Sequence, residues 1–125
     1  NTTLAGHVDI HDHVILGGFT GVHQFCRMGI GSFSAIAAII VKDVPPFVLV
    51  EGNTARARTI NREGLKRRGV DKDVIASLKR AYKTLYRQGL TLQEALRKLR
   101  TDFADVPEVA QLVEFIEAST RGIVR

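Results

Sequence analysis

The sequence predicts a three-sided parallel β-helix followed by a helical domain, and three observations carry that prediction. Aliphatic residues recur every six positions through the first third of the chain. That spacing fits neither an amphipathic helix nor an alternating strand. Beyond residue 70 the apolar period becomes 3.6, with a helix-start signal ahead of each segment.

Written in sixes from Leu4, the chain reads LAGHVD, IHDHVI, LGGFTG, VHQFCR, MGIGSF, SAIAAI, IVKDVP. Leu4, Ile10, Leu16, Val22, Met28 and Ile40 share one column, broken only by Ser34. A second column holds the small or β-branched Val8, Val14, Thr20, Cys26, Ser32 and Ala38. Six residues make one face of a three-sided coil, so roughly 18 residues close a coil and coils stack at about 4.8 Å. Gly6, Gly17, Gly18, Gly21, Gly29 and Gly31 are expected at corners, where a side chain would clash or φ must be positive. A small antiparallel sheet with glycine turns is the alternative, and it does not explain the period. Seven hexads amount to about 2.3 coils, short of the roughly three units a solenoid needs. The pattern is already in register at Thr2, Thr3 and Leu4, so residues 1–53 are expected to be the last coils of a longer β-helix and 54–125 a C-terminal helical domain.

Pro45 and Pro46 break the ladder, Phe47 to Val50 can pair as a last strand, and Thr54 to Thr59 read as a connecting loop. Asp71 can cap a helix with Val74, Ile75, Leu78, Tyr82 and Leu85 on one face, closing at Gly89. Thr91 and Glu94 form a capping box ahead of Leu92, Leu96, Leu99 and Phe103. Pro107 opens a third helix, with Val109, Leu112, Val113 and Ile116 facing inward. These stripes read as core.

The net charge of +5 is unevenly placed. Residues 1–58 carry four cations against four carboxylates, and residues 59–125 carry 14 against nine, so the whole excess lies in the helical part. Lys66, Arg67 and Arg68 stand adjacent at its entry, where they can meet a phosphate or an acidic protein. The other cations, among them Lys79, Arg80, Lys83, Arg87, Arg97, Lys98 and Arg100, read as a solvated face. No apolar run approaches the roughly 20 residues of a membrane span. The single cysteine suits a reducing, cytoplasmic setting.

His7, His11 and His13 with Asp9 and Asp12 include every ligand type zinc accepts, but positions six apart occupy neighbouring faces of a prism and do not converge, so no metal is expected. Imidazoles on the prism surface suit hydrogen bonding to a ligand in a cleft, and a purely structural role stays open for each, most of all for His11 and His13. His23 and Gln24 form a comparable polar pair. Cys26 falls in the inward column and is not a nucleophile.

NTTLAGHVDI, GGFTGVHQFCRMG, KDVPPFVLVEGN, INREGLKRRG and STRGIVR, in this order, resemble the C-terminal half of the bacterial acyl-(acyl-carrier-protein)–UDP-N-acetylglucosamine O-acyltransferases. The resemblance runs over essentially the whole chain. It implies left-handed β-helices assembled as a homotrimer, with active sites in clefts between subunits. The implied reaction moves a 3-hydroxyacyl chain from acyl carrier protein to the 3-hydroxyl of UDP-N-acetylglucosamine, the first step of lipid A synthesis, with no cofactor beyond the carrier's phosphopantetheine. The family's general-base histidine lies upstream of these residues, so the chain alone is expected to be inactive. Gly6 matches the glycine whose N–H faces the oxyanion, and His7 a substrate-positioning histidine. His23 and Gln24 match residues contacting the nucleotide-sugar or the acyl chain. Asn61, Glu63, Arg67 and Arg68 match the segment at the uridine and phosphate end, and the basic helices match a carrier-protein dock. Ile36 stands where the family can place glycine at the floor of the acyl pocket, which implies a shorter chain. TARART, residues 54–59, departs from the family's histidine or proline in a substrate-facing loop.

Two other functions fit less of the sequence. One is another hexapeptide-repeat acyltransferase, transferring acyl to nitrogen or transferring acetyl groups. The other is a non-catalytic basic module gripping nucleic acid, against which stands the absence of an aromatic stacking platform interleaved with the cations.

Overall fold

A computed structural model describes residues 1–125. Seven two-residue strands follow one another at intervals of six: β1 (Thr3–Leu4), β2 (Asp9–Ile10), β3 (Ile15–Leu16), β4 (Gly21–Val22), β5 (Arg27–Met28), β6 (Phe33–Ser34) and β7 (Ile39–Ile40). The first four each pair in parallel with the strand 18 residues on: Thr3 with Gly21, Asp9 with Arg27, Ile15 with Phe33, Gly21 with Ile39. The result is a left-handed, three-sided parallel β-helix.

Both predicted columns point inward. Val22, Met28 and Ile40 are buried, as are Thr20, Cys26, Ser32 and Ala38. Burial falls off toward the first coil, where Leu4 is 46% exposed, because there the column is covered from one side only. Ser34, the break in the first column, is accommodated by chemistry: Thr20 Oγ1 donates to the Gly17 carbonyl at 2.7 Å and accepts the Ser34 hydroxyl at 2.9 Å.

The corners differ from the expectation. Left-handed φ values fall at His7, His13, Phe19, Phe25, Gly31 and Ala37, again six apart, so five of these six corners carry a side chain. Of the glycines expected there, only Gly31 has a positive φ. The coil ladder enforces the turn and the side chain points outward, which offsets the roughly 1–2 kcal/mol that a non-glycine residue loses in that region. Gly17 is required for another reason: its Cβ would stand 2.6 Å from the Ser34 carbonyl oxygen of the next coil.

The prolines change the register. Strand β8 (Val48–Glu51) pairs in parallel with β6, joining Phe33 to Leu49 at a spacing of 16 instead of 18. The segment expected as a loop is largely strand β9 (Arg56–Ile60), antiparallel to β8 with a bulge between Leu49 and Val50. Its alternation is faint: Arg56 and Arg58 face solvent, Ala57 and Thr59 are half-buried, and Ile60 is buried.

Four helices follow: α1 (Arg62–Arg67), α2 (Lys72–Tyr86), α3 (Leu92–Asp102) and α4 (Pro107–Glu117). The sequence reading missed α1. Asp71 caps α2 by accepting the Asp73 N–H at 2.7 Å, Pro107 opens α4, and α2 ends at Tyr86, leaving Gly89 to turn the chain at φ +67°. Thr91 and Glu94 cap α3 reciprocally, at 3.2 and 3.3 Å. The predicted faces form the helical core, with Leu78, Leu85, Leu99, Val109 and Leu112 buried. No helix is long and apolar enough to cross a membrane.

Thr91→Ala is expected to lower stability by about 1 kcal/mol, read as a shift in the urea midpoint. The hydrogen bonds from Thr91 hold the Glu94 carboxyl below its ordinary value. A depressed folded value means stability that is present above the unfolded pKa and lost as pH falls through the folded one. The stability difference between wild type and Glu94→Gln should therefore narrow below the carboxylate range.

The helical part is fastened to the prism by one buried carboxylate. Asp43, 2% exposed, accepts the Arg27 backbone N–H at 2.9 Å, Arg27 Nε at 3.4 Å and the Ser119 hydroxyl at 2.7 Å. Arg27 Nη2 continues to the Phe115 carbonyl at 2.8 Å, and its guanidinium lies 4.0 Å over the Phe115 ring. The backbone joins in: Asp43 N–H donates to the Gly122 carbonyl and Val124 N–H to that of Asp43.

Candidate functional site

Because the coil repeats every 18 residues, a residue and its eighteenth successor share a corner column. Gly6 and His7 therefore lie one coil from Gln24 and Phe25, with His23 beside them. All five are exposed. The His7 ring stacks flat on Phe25, with centroids 5.0 Å apart and planes 3° apart. The Gly6 carbonyl accepts the Phe25 N–H at 3.2 Å, while the Gly6 N–H has no acceptor in the chain. The same corner N–H is free at Gly18, Gln24 and Ile36, and a Cβ at Gly6, as at Gly18, would meet nothing within 4 Å, so what distinguishes Gly6 is its place beside His7 and one coil from Gln24. Four predicted site residues thus form one surface with a free backbone donor, two imidazoles and a carboxamide. Such a set can orient a polyhydroxylated ligand and stabilise a developing oxyanion.

The other predicted residues stand elsewhere. Asn61 is buried, donates from Nδ2 to the Gly31 carbonyl at 3.0 Å and accepts the Gly64 N–H at 3.2 Å, so its carboxamide caps α1 and ties it to the corner shared by His13 and Gly31. Arg68 reaches the same corner, its Nη2 lying 2.9 Å from the position a Gly31 Cβ would take. Glu63 and Arg67 are exposed on α1. Ile36, 71% exposed, occupies the third corner with Phe19. Within one chain the predicted residues fall into three groups at three corners, and only the first is contiguous.

His7 and His13 stand at different corners, and His11 lies on the face between them, 3.1 Å from Asp9. Cys26 is fully buried, and burial pushes its thiol pKa up against a partial lowering by Arg121, the opposite of an activated nucleophile. In the departing segment, Arg58 pairs with Glu51 at 3.2 Å. Two features escaped the sequence reading. Phe25, whose place under His7 the 18-residue spacing could have disclosed, is one. A cleft of about 640 Å³ between the β5 face and α4, lined by His11, Asp12, Arg27, Glu114 and Phe115, is the other, and no local pattern signals it.

Comparison with known proteins bears on the family and the fold. The family profile described as "Udp N-acetylglucosamine O-acyltransferase; Domain 2" matches residues 43–124. A Pseudomonas fluorescens protein named acyl-(acyl-carrier-protein)–UDP-N-acetylglucosamine O-acyltransferase is 55% identical over all 125 residues, which are 48% of its length. A Thiobacillus denitrificans protein of the same name is 50% identical over the same span, also 48% of its length. The chain thus spans about half the length of the curated relatives it matches. The solved UDP-N-acetylglucosamine acyltransferase of Francisella novicida superposes with a TM-score of 0.94 at 42% identity, covering 99% of this chain and 46% of that one. The Arabidopsis enzyme superposes at 0.93 with 34% identity, covering 100% and 47%. A family match over most of the chain, on the fold that the hexads require, leads to one conclusion: the chain belongs to the UDP-N-acetylglucosamine O-acyltransferase family.

Proposed function

We propose that this chain forms part of an enzyme that transfers a 3-hydroxyacyl group from acyl carrier protein to the 3-hydroxyl of UDP-N-acetylglucosamine, the entry step of lipid A synthesis. The observation that carries this reading is the identity of 55% along the entire chain to relatives named for that reaction. In the reaction the sugar hydroxyl attacks the thioester carbonyl and gives its proton to a histidine outside these residues. The tetrahedral oxyanion is met by the free Gly6 N–H, and collapse expels the phosphopantetheine thiolate, which takes up the proton. His7, held flat by Phe25, orients the acceptor, with His23 and Gln24 beside it. No cofactor beyond the carrier's own arm is required.

The separation of the predicted residues onto three different corners supports a homotrimer with sites at subunit boundaries, where one chain's corner faces another's. Glu63, Arg67 and Arg68 then receive the uridine and phosphate end, and the buried carboxamide of Asn61 sets the angle of α1 that presents them. The lone buried Cys26 suits a cytoplasmic setting.

The test uses the full-length protein with 3-hydroxyacyl carrier protein and UDP-N-acetylglucosamine, following ester formation. His7→Ala and Arg67→Ala should each lower kcat/KM by about 100-fold, roughly 3 kcal/mol of transition-state stabilisation; unchanged turnover in both would refute the site. Ile36→Gly should shift preference toward longer chains across a series of about 10 to 14 carbons, since each methylene in an apolar pocket is worth roughly 1–3 kcal/mol. An unshifted preference would remove Ile36 from the acyl pocket.

A further inference from the structure

We propose that Gly31 is a positioning residue for Arg68, an inference that rests on the nucleotide-binding role assigned to Arg68 above. The side chain that Gly31 lacks leaves a notch in the corner column, and the guanidinium standing in that notch is held ready for the phosphate end of the nucleotide. Glycine at this corner is not explained by the turn. His7, His13, Phe19, Phe25 and Ala37 take the same left-handed conformation, with φ between 58° and 65°, and each carries a side chain. Gly31 follows at φ +69°. The coil ladder enforces that conformation at every corner, so the backbone alone has no need of glycine here.

What differs at Gly31 is the space outside it. A Cβ there would stand 2.9 Å from Arg68 Nη2 and 3.1 Å from Phe47 Cδ1. Non-bonded heavy atoms settle at about 3.5 Å or more, so a methyl group and the present Arg68 conformer exclude each other. Gly31 also receives α1 at both ends. Its carbonyl accepts Asn61 Nδ2 at the N-cap, at 3.0 Å, and Arg68, the C-cap, returns its side chain to the same residue. The Gly31 N–H is spent on the Asp12 carbonyl of the preceding coil at 2.9 Å, so the reference point is itself fixed in the ladder. Arg68 is half-buried, and its side chain makes no ion pair or hydrogen bond within the chain. An arginine without partners samples many rotamers, and confining it beforehand lowers the cost of ordering it when an anion arrives. The notch supplies that confinement by shape and leaves the donors of the guanidinium unspent for a phosphate. The obstacle to a side chain at position 31 is the tip of a flexible arginine, whereas at Gly17 it is backbone, so alanine at 31 would displace the guanidinium and spare the coils.

Binding of UDP-N-acetylglucosamine and of UDP to the full-length protein is measured by calorimetry, with transfer assayed in parallel. Gly31→Ala should raise Kd for both ligands about five-fold, and should raise KM for the nucleotide sugar while kcat at saturation stays within about two-fold, because Arg68 holds a part of the ligand remote from the reacting atoms. The variant should fold, since Ala37 already occupies the same conformation. Gly31→Asn, a residue type that adopts left-handed φ readily, should weaken binding at least as much. Arg68→Ala alone should raise Kd about ten-fold, and Gly31→Ala added to it should change little further. The double variant separates positioning from strain: strain passed to α1 through Asn61 weakens binding with or without Arg68, whereas a notch that serves Arg68 is silent in its absence. Wild-type affinity in both Gly31 variants, additive losses in the double variant, or a loss seen with UDP-N-acetylglucosamine and not with UDP would each overturn the positioning role and leave the enzymatic reading in place. A wild type that binds neither ligand and transfers no acyl group would remove both.

Discussion

Arg27→Ala should destabilise the protein by about 3–5 kcal/mol, the range found when one partner of a buried ion pair is removed. The remaining partner sets the magnitude: Asp43 is 2% exposed, and without Arg27 its carboxylate keeps the Arg27-position backbone N–H and the Ser119 hydroxyl but no cation. Two further losses accompany it, the hydrogen bond to the Phe115 carbonyl and the stacking on the Phe115 ring. Asp43→Asn should cost less, because the orphaned Arg27 side chain is 25% exposed and can turn to water. Urea unfolding followed by circular dichroism measures both, and equal costs would show that the carboxylate is not the anchor.

Gly17→Ala is the second large effect, expected at about 3 kcal/mol or more from overpacking. The added methyl would stand 2.6 Å from the Ser34 carbonyl oxygen and 2.7 Å from both the Ala35 carbonyl carbon and Ile36 N, all backbone of the coil above. No side chain can rotate away, so relief requires parting the coils where Gly17 N–H donates to Ser34 at 2.8 Å. The neighbouring Gly18→Ala meets nothing within 4 Å and has no left-handed φ, so it should be neutral or stabilise slightly by restricting the unfolded chain. Thermal midpoints of the two variants should diverge; similar midpoints would mean that the coils are not in close contact at Gly17.

The contrast between these adjacent glycines shows where the sequence was legible. Inward columns repeat because each coil imposes the same requirement at the same offset, so Met28 or Ala38 could be placed without coordinates. Corners impose a conformation through the ladder and tolerate any outward side chain, so composition misled: His7 and Phe25 adopt the turn that glycine was expected to supply. Strand β9 and α1 were hidden for a different reason. Arg-Ala-Arg-Thr carries little apolar signal, and α1 is six residues long with Gly64 inside it and one buried side chain, Leu65, so neither shows a period. The candidate site was named through the resemblance alone, and the 18-residue spacing explains why Gly6 and His7 stand beside Gln24. The spacing does not reach Asn61, whose capping role depends on the Gly31 carbonyl from a distant coil.

A parallel solenoid is in principle a polymer, because each finished coil exposes the backbone edge on which another can be laid. Strand β9 ends that series by running backwards, since an antiparallel strand offers a further coil the wrong polarity, and residues 122–124 occupy the backbone of Asp43 on another face. The helical part thus acts as a terminator of coil addition, closing this end of the prism against end-to-end association with other copies. Loosening the Asp43 anchor would free one of those edges, so variants such as Arg27→Ala should self-associate as well as unfold more easily.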